Sequence, residues 1–334
     1  MMLLAGDIGG TKTELALFAP ETGPREELKC AEFPSGRYPS LEAIVQEFLA
    51  GVDKPIDRAV FAVAGPVIAG QAHVTNLDWR VNLAHLQETL NLPNVTLMND
   101  LQAIALAVPI LTPDEVVTLN EGVAQPHGTI AVIAPGTGMG EAFLVWNGTR
   151  YQALASEGGH SDFAPGNATE IGLLQYLQPR FGHVSVERVC SGRGLPNIYD
   201  YLRDRDPAQE TPEVARQLAE AEDRTPVIVK NALDSSRSCS LCVATLDIFI
   251  AILGAEAGNL ALKMLSTGGV YLAGGIPPRI LPLLQNGRFM QAFMRKGRLS
   301  ELLAGMPVRV ICSRAALLGA AHYGLDIAGD KRPV

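Results

Sequence analysis

The chain has 334 residues, 35 acidic against 27 basic side chains, and a formal charge of −8. Hydrophobic residues make up 47% and charged residues 19%, enough for two domains with cores of their own. The acidic balance, without any basic block, excludes nucleic acid and anionic membrane surfaces as main partners. The apolar run 248–253, between Asp247 and Glu256, is too short to cross a bilayer. No export signal is expected ahead of residue 3, so Cys30, Cys190, Cys239, Cys242 and Cys312 read as reduced thiols of a cytoplasmic protein. Cys239 and Cys242 alone have metal or redox spacing. They fall in a helix-like stretch with no second pair, which reads as packing.

Residues 3–18, LLAGDIGGTKTELALF, begin the chain with strand, glycine turn and strand. Leu3, Leu4 and Ala5 are a short buried-strand run, and Leu15 and Leu17 then alternate with Ala16 and Phe18. Gly9 and Gly10 can reach φ > 0 and gather backbone N–H groups into an anion cradle. Thr11 and Thr13 add hydroxyls, and Lys12 adds charge. Asp7 beside a phosphate implies Mg²⁺, held directly or through water. A Walker A loop does not fit, because no glycine directly precedes Lys12, and a dinucleotide fingerprint would open a helix. An ordinary hairpin is the alternative, although it would need neither the Asp nor so many polar residues.

Farther on, Ser40 caps a helix of apolar positions 41, 44, 45, 48 and 49 that Gly51 closes. Residues 59–64 form a strand ended by Gly65-Pro66. The segment 72–79, AHVTNLDW, reads as a loop, lining a cleft or simply turning at the surface. A strand at 95–98 leads into Asn99-Asp100 and then a helix to 108. Either polar residue suits an N-cap. Both also lie at the carboxyl end of a strand, where α/β sheets bind ligands.

The segment 129–146 repeats the opening plan: a strand, the turn Pro135-Gly136-Thr137-Gly138-Met139-Gly140, and a strand. Two such hairpins suggest two related lobes, each with one phosphate turn; chance resemblance is the alternative. Glu157 and His160 enclose two glycines, which argues against a helical metal pair and for a loop that hydrogen-bonds a polyol. A capped helix follows at 167–178, and 184–189 is a short amphipathic stretch containing Glu187. By itself Glu187 reads as a surface acid. Thr211-Pro212 and Thr225-Pro226 look like helix starts, the second helical region running nearly to 266 with a break near 234–238. A strand then ends in a third glycine turn at Gly274-Gly275. The last elements are a strand at 308–311 and a helix at 315–323.

Together these pieces resemble the bacterial glucokinases of the hexokinase-like, actin-fold superfamily along nearly the whole chain. The carriers are GDIGGTKT (6–13), TNLDW (75–79), ND (99–100), APGTGMG (134–140), EGGHSDFAP (157–165), FGHVSVERVCSG (181–192) and YLAGGIPP (271–278). The resemblance implies an α/β, two-lobed actin-like (ribonuclease H-like) ATPase fold, each lobe a mixed sheet flanked by helices, with a cleft between. It places a small domain at 1–110 plus about 312–334 and a large one at 111–311. It makes Asp100 the catalytic base, and Asn99, Asp100, Glu157, His160 and Glu187 the sugar ligands. Gly6, Asp7, Ile8, Gly9, Gly10, Thr11 and Lys12, with Gly136, Thr137 and Gly138, correspond to the phosphate turns, and Gly274 and Gly275 to the adenosine turn. ATP, Mg²⁺ and glucose are then the expected ligands, with a homodimer as the candidate assembly. A kinase for another hexose or an N-acetyl amino sugar, or a sugar sensor without turnover, is the alternative. A related branch carries zinc on a His and a cysteine run; His160 matches that His but no cysteine run follows, so no zinc is expected.

Overall fold

The structure, a computed structural model, describes residues 2–74, 77–206, 210–234 and 239–329. Thr75 and Asn76 of the TNLDW segment, and most of the expected helix break, lie outside the described residues. In chain order the elements begin β1 (Leu3–Ile8), β2 (Lys12–Phe18), β3 (Lys29–Pro34), α1 (Leu41–Leu49), β4 (Arg58–Val63), β5 (Val67–Ile68), β6 (Gln71–His73), β7 (Arg80–Asn82), α2 (Leu83–Thr89), β8 (Val95–Asn99) and α3 (Asp100–Ala107). They continue with β9 (Val116–Asn120), β10 (Ile130–Pro135), β11 (Met139–Trp146), β12 (Tyr151–Ser156), α4 (Ala168–Phe181), α5 (Leu195–Arg205), α6 (Pro212–Glu220), α7 (Arg224–Leu233) and α8 (Ser240–Met264). The last are β13 (Gly269–Leu272), α9 (Leu281–Leu284), α10 (Arg288–Met294), α11 (Ser300–Ala304), β14 (Val308–Ile311) and α12 (Ala315–Gly329).

The chain divides into two compact units. The first comprises Met1–Pro113, Asn147–Ala155 and Ser313–Val334, the second Asp114–Trp146 and Ser156–Cys312. In the first, the strands lie in the order β3-β2-β1-β4-β8. β1 pairs antiparallel with β2 and parallel with β4, which pairs parallel with β8. Strands covered on both faces read as continuous apolar runs, as RAVFAV of β4 does. One face packs on α1 through Ile44, Val45 and Phe48, and the other on α3 and α12. α12 comes close because Gly319 lies on the Ala103 carbonyl and Gly324 on Leu3.

In the second unit β11-β10-β13-β14 repeats the order β2-β1-β4-β8: one antiparallel hairpin, then two parallel neighbours. β9 adds to β14 antiparallel. The two hairpins read from sequence therefore head two sheets of one plan. α8 is far longer than the apolar run 248–253. Its 25 residues would suffice by length and composition to cross a membrane, but most of them are buried, and α5, α7 and α10 pack on it. A helix apolar on all sides is one enclosed by its own protein.

Two local expectations need correction. Residues 77–79 are irregular as expected, but described parts of the segment 72–79 belong to a strand or to the core. Ala72 is in β6, Val74 and Trp79 are core residues, and the Trp79 indole N–H donates to the Tyr38 carbonyl at 3.2 Å. Thr225 does not cap its helix. Asp223 does so, accepting the Thr225 N–H at 2.9 Å, and this frees the Thr225 hydroxyl to donate to the Gly192 carbonyl at 2.6 Å. Cys239 and Cys242 are buried beside Tyr199, Val214 and Ile228, as their packing reading expects.

Candidate active site

In the first unit the turn between β1 and β2 is closed by hydrogen bonds. The Gly9 N–H donates to the Lys12 carbonyl at 3.0 Å, and the Ser35 N–H to the Thr11 carbonyl at 3.1 Å. The Ser35 hydroxyl donates to the Gly9 carbonyl at 2.8 Å and lies 3.0 Å from the buried Thr13 hydroxyl. Gly9 does not adopt the left-handed backbone expected of it. What it needs is room, since a Cβ would sit 3.0 Å from the Lys12 carbonyl oxygen. Gly6 lies inside β1, where a Cβ would meet Leu15 at 2.7 Å and Phe61 at 2.9 Å, so core packing demands it. The Ile8 side chain is buried, leaving its backbone alone for a ligand. The Lys12 ammonium pairs with Glu32 and stands 4.0 Å from Glu14.

Parallel register aligns Ile8, Val63 and Asn99, so the carboxyl ends of β1, β4 and β8 lie side by side. This edge carries Asp7 and Asp100. Burial, then the Asp100 and Glu14 carboxylates, push the Asp7 carboxyl up to about 7 against the pull of Lys12. Asn99 is the cap of α3: its Oδ1 accepts the Leu101 N–H at 2.9 Å and its Nδ2 donates to the Gly65 carbonyl at 2.9 Å. Asp100 is the first helical residue, and its Oδ1 accepts the same N–H at 2.8 Å. Cap and ligand edge therefore coincide, and the helix dipole favours an anion at this point.

In the second unit Met139 is the junction. Its N–H donates to Glu187 Oε2 at 3.0 Å. A Cβ on Gly138 would lie 2.5 Å from that oxygen, so the turn needs glycine there for Glu187 to approach. Gly159 lies against the Met139 carbonyl with no space for a Cβ. The Val186 N–H donates to the Ser161 carbonyl at 3.0 Å, tying the Glu157–His160 loop to the Glu187 turn. Glu157 Oε2 and His160 Nε2 are both exposed and 4.0 Å apart. The second phosphate turn is fixed from both sides. The Gly192 N–H donates to the Gly136 carbonyl at 2.7 Å, and the Ile276 N–H to the Pro135 carbonyl at 3.3 Å. Gly274 takes the left-handed backbone, φ +82°, where a Cβ would also strike the Pro135 carbonyl. Thus Gly136–Gly138, Glu157, His160, Glu187 and Gly274–Gly275 gather within one unit.

Two cavities flank these turns. One of about 410 Å³ is lined by Thr137, Arg193, Arg224, Asp223, Asp200 and Arg180 among others. A smaller one of about 170 Å³ lies between Thr225, Pro226, Val229 and Lys230 of α7 and Ile276 and Arg279 beyond the third turn.

A family profile described as Glucokinase matches residues 4–326. The chain belongs to the glucokinase family. It is 43% identical over 336 residues to a curated glucokinase of Nostoc sp. strain PCC 7120, covering 96% of this chain and 98% of that one. A crystal structure of glucokinase from an Antarctic psychrotroph superposes with TM-score 0.82 at 33% identity, covering 97% and 99% of the two chains. The fold is shared with a glucokinase of the ROK family from Streptomyces griseus, solved with glucose and AMPPNP: TM-score 0.63, 19% identity, 98% and 100% coverage. The architecture is the actin-like fold of these sugar kinases, and the chain is an ATP-dependent hexose kinase.

The cavity residues were missed from sequence. The signals were present in Ser191-Gly192-Arg193-Gly194 and in the Thr225-Pro226 helix start, but nothing local joins them to Thr137. The tie is the Thr225 hydroxyl on the Gly192 carbonyl, 33 residues away.

Proposed function

We propose that the chain transfers the γ-phosphoryl group of ATP to the C6 hydroxyl of glucose, with Asp100 as the base. The observation that carries this reading is Asp100 at the start of α3, on the same sheet edge as Asp7. Asn99, Glu157, His160 and Glu187 are assigned to the sugar hydroxyls, which offer many O–H donors to acids and amides. The Gly9–Thr11 and Gly136–Gly138 turns are assigned to the phosphates. The nucleoside is assigned to the cavities beside Thr137 and Ile276. Arg193 lines the first, together with Arg224, which Asp200 holds at 2.8 Å, and Val229 and Ile276 give the second an apolar wall.

Phosphoryl transfer passes through a loose transition state, so positioning and charge stabilisation carry the catalysis. Asp100 orients the attacking hydroxyl and accepts its proton. Asp7 fits a role in holding Mg²⁺ directly or through water: it is an acid crowded by two other carboxylates, an excess of negative charge that a cation relieves. When bound, Mg²⁺ neutralises charge on the phosphates. Lys12, paired with Glu32, is free for a phosphate once that exposed pair opens, which costs little. The cell's cytoplasm is the assigned compartment.

One coupled assay tests the reading: glucose, mannose, fructose and N-acetylglucosamine, each with ATP and Mg²⁺. Glucose-dependent ADP release with the highest kcat/KM for glucose is expected. A preference for another sugar would reassign the substrate, and sugar binding without ADP release would mark a sensor.

A further inference from the structure

Glu141 has no part in the chemistry above. It stands on β11 two residues beyond Met139 and is 2% exposed. A Cβ on Gly158 would fall onto its Oε2, so the carboxyl lies flush against the backbone between Glu157 and His160. The Gly158 N–H is held by the Ser156 hydroxyl at 3.0 Å. The other oxygen of Glu141, Oε1, is buried without a hydrogen-bond partner, and so is Oε1 of Glu256 on α8. Glu256 Oε2 accepts from the Asn259 amide at 2.9 Å, and the Lys263 ammonium stands 3.7 Å from Oε1.

A carboxyl buried with a bare oxygen, as Glu141 is, ionises only at a penalty, and a second buried acid acting on it adds to that penalty. Burial first, then Glu256, hold the Glu141 carboxyl up to about 7, with Lys263 opposing. The other groups around the pair are Cys190, whose thiol burial and the same two carboxyls push upward, and Lys296, which donates to the Ala255 carbonyl at 2.8 Å and to Asn259. On the covering loop stand Glu157 and His160 themselves.

We propose that Glu141 is a positioning residue for the sugar loop: its carboxyl supports Gly158 and so sets where Glu157 and His160 stand, and sugar affinity follows the charge on that carboxyl. This rests on the assignment of Glu157 and His160 to the sugar. With the proton on Glu141, the loop lies down on the carboxyl. Loss of that proton leaves a charge that needs water, and lifting the loop admits it. Affinity then falls as pH rises, while the proton transfer at Asp100 is not directly affected.

The test is glucose Kd by calorimetry, with kcat on the same samples, from about pH 6 to 9 for the full chain, Glu141→Gln and Glu256→Gln. The expected wild-type Kd rises about tenfold across this range, the equivalent of one pKa unit. Glu141→Gln should hold the low-pH value throughout. Glu256→Gln, by removing the neighbouring charge, should move the midpoint to lower pH. A Glu141→Gln profile with the wild-type slope, or a Kd raised equally at every pH, would overturn the proposal. Should that variant fail to fold, an unmoved midpoint in Glu256→Gln overturns it instead. Sugar binding without turnover would count against phosphoryl transfer and leave the pH comparison intact.

Discussion

The backbone N–H of Met139 donates to the Glu187 carboxylate at 3.0 Å, joining a sugar-assigned acid to a phosphate-assigned turn. A change at either end must be felt at the other. Gly138 is the sensitive point, because any side chain there pushes on the same carboxylate oxygen. Gly138→Ala is expected to raise both glucose KM and ATP KM. Losing a hydrogen bond to a charged group is worth about 1.5–3 kcal/mol, or roughly 10- to 100-fold. Steady-state kinetics with each substrate varied decides it. An increase in ATP KM alone would show that Glu187 does not depend on the turn.

Asp100→Ala should retain glucose binding by calorimetry and lose turnover by about 10²- to 10⁴-fold, the range of a positioned base. α3 keeps its Asn99 cap in this variant, so the helix should persist in circular dichroism. Near wild-type kcat in the purified variant would remove Asp100 from the chemistry.

Chelation of divalent cations should abolish ADP formation and spare glucose binding. Asp7→Asn should then require more Mg²⁺ for half-maximal rate, read from a Mg²⁺ titration at fixed ATP. An unchanged Mg²⁺ requirement would place the cation on other groups.

The small cavity beside Ile276 offers a steric test. Val229→Trp should fill it, raise ATP KM at least tenfold and leave glucose KM within twofold, a tenfold loss being about 1.4 kcal/mol of binding. Equal effects on both substrates would mean that no nucleoside lies there.

Stability should depend on pH through Glu141. Its carboxyl titrates near 4.5 ordinarily and at about 7 in the fold. Between those values the folded chain keeps a proton that the unfolded chain has lost, so stability falls as pH rises through this window and stays low above it. The fall is at most about 3 kcal/mol. Glu141→Gln cannot ionise and should show a smaller fall, keeping only the share that the raised Asp7 carboxyl contributes in the same window. Urea midpoints at pH 5 and pH 8 compare the two chains, and an equal drop in both would clear Glu141 of the effect.

Much of the frame was legible because it is local. A run such as Leu3-Leu4-Ala5 before a glycine turn declares a hairpin, and Asn167 with Glu170 declares a helix start. What stayed hidden depends on distant partners. Glu187 reads as a surface acid until Met139, 48 residues away, is seen to bind it. Trp79 reads as a loop aromatic until Tyr38 and the core around Val74 claim it. Gly9 reads as a source of backbone freedom, whereas space for a neighbour is what it supplies. Thr225 was passed over as a cap because the better cap, Asp223, sits two residues earlier.

The docking of α12 on α3 and β1 has a consequence for synthesis. Leu3, Val60 and Ala103 belong to one apolar cluster with Leu317, Ala320 and Ala321. A ribosome makes the first members of that cluster hundreds of residues before the last, and until then their side of the early sheet is bare. The middle of the polypeptide carries its own interior and can mature while the beginning waits. A nascent chain arrested before Ala315 should therefore attract chaperones at its first strands, and release from them should coincide with the arrival of the final helix.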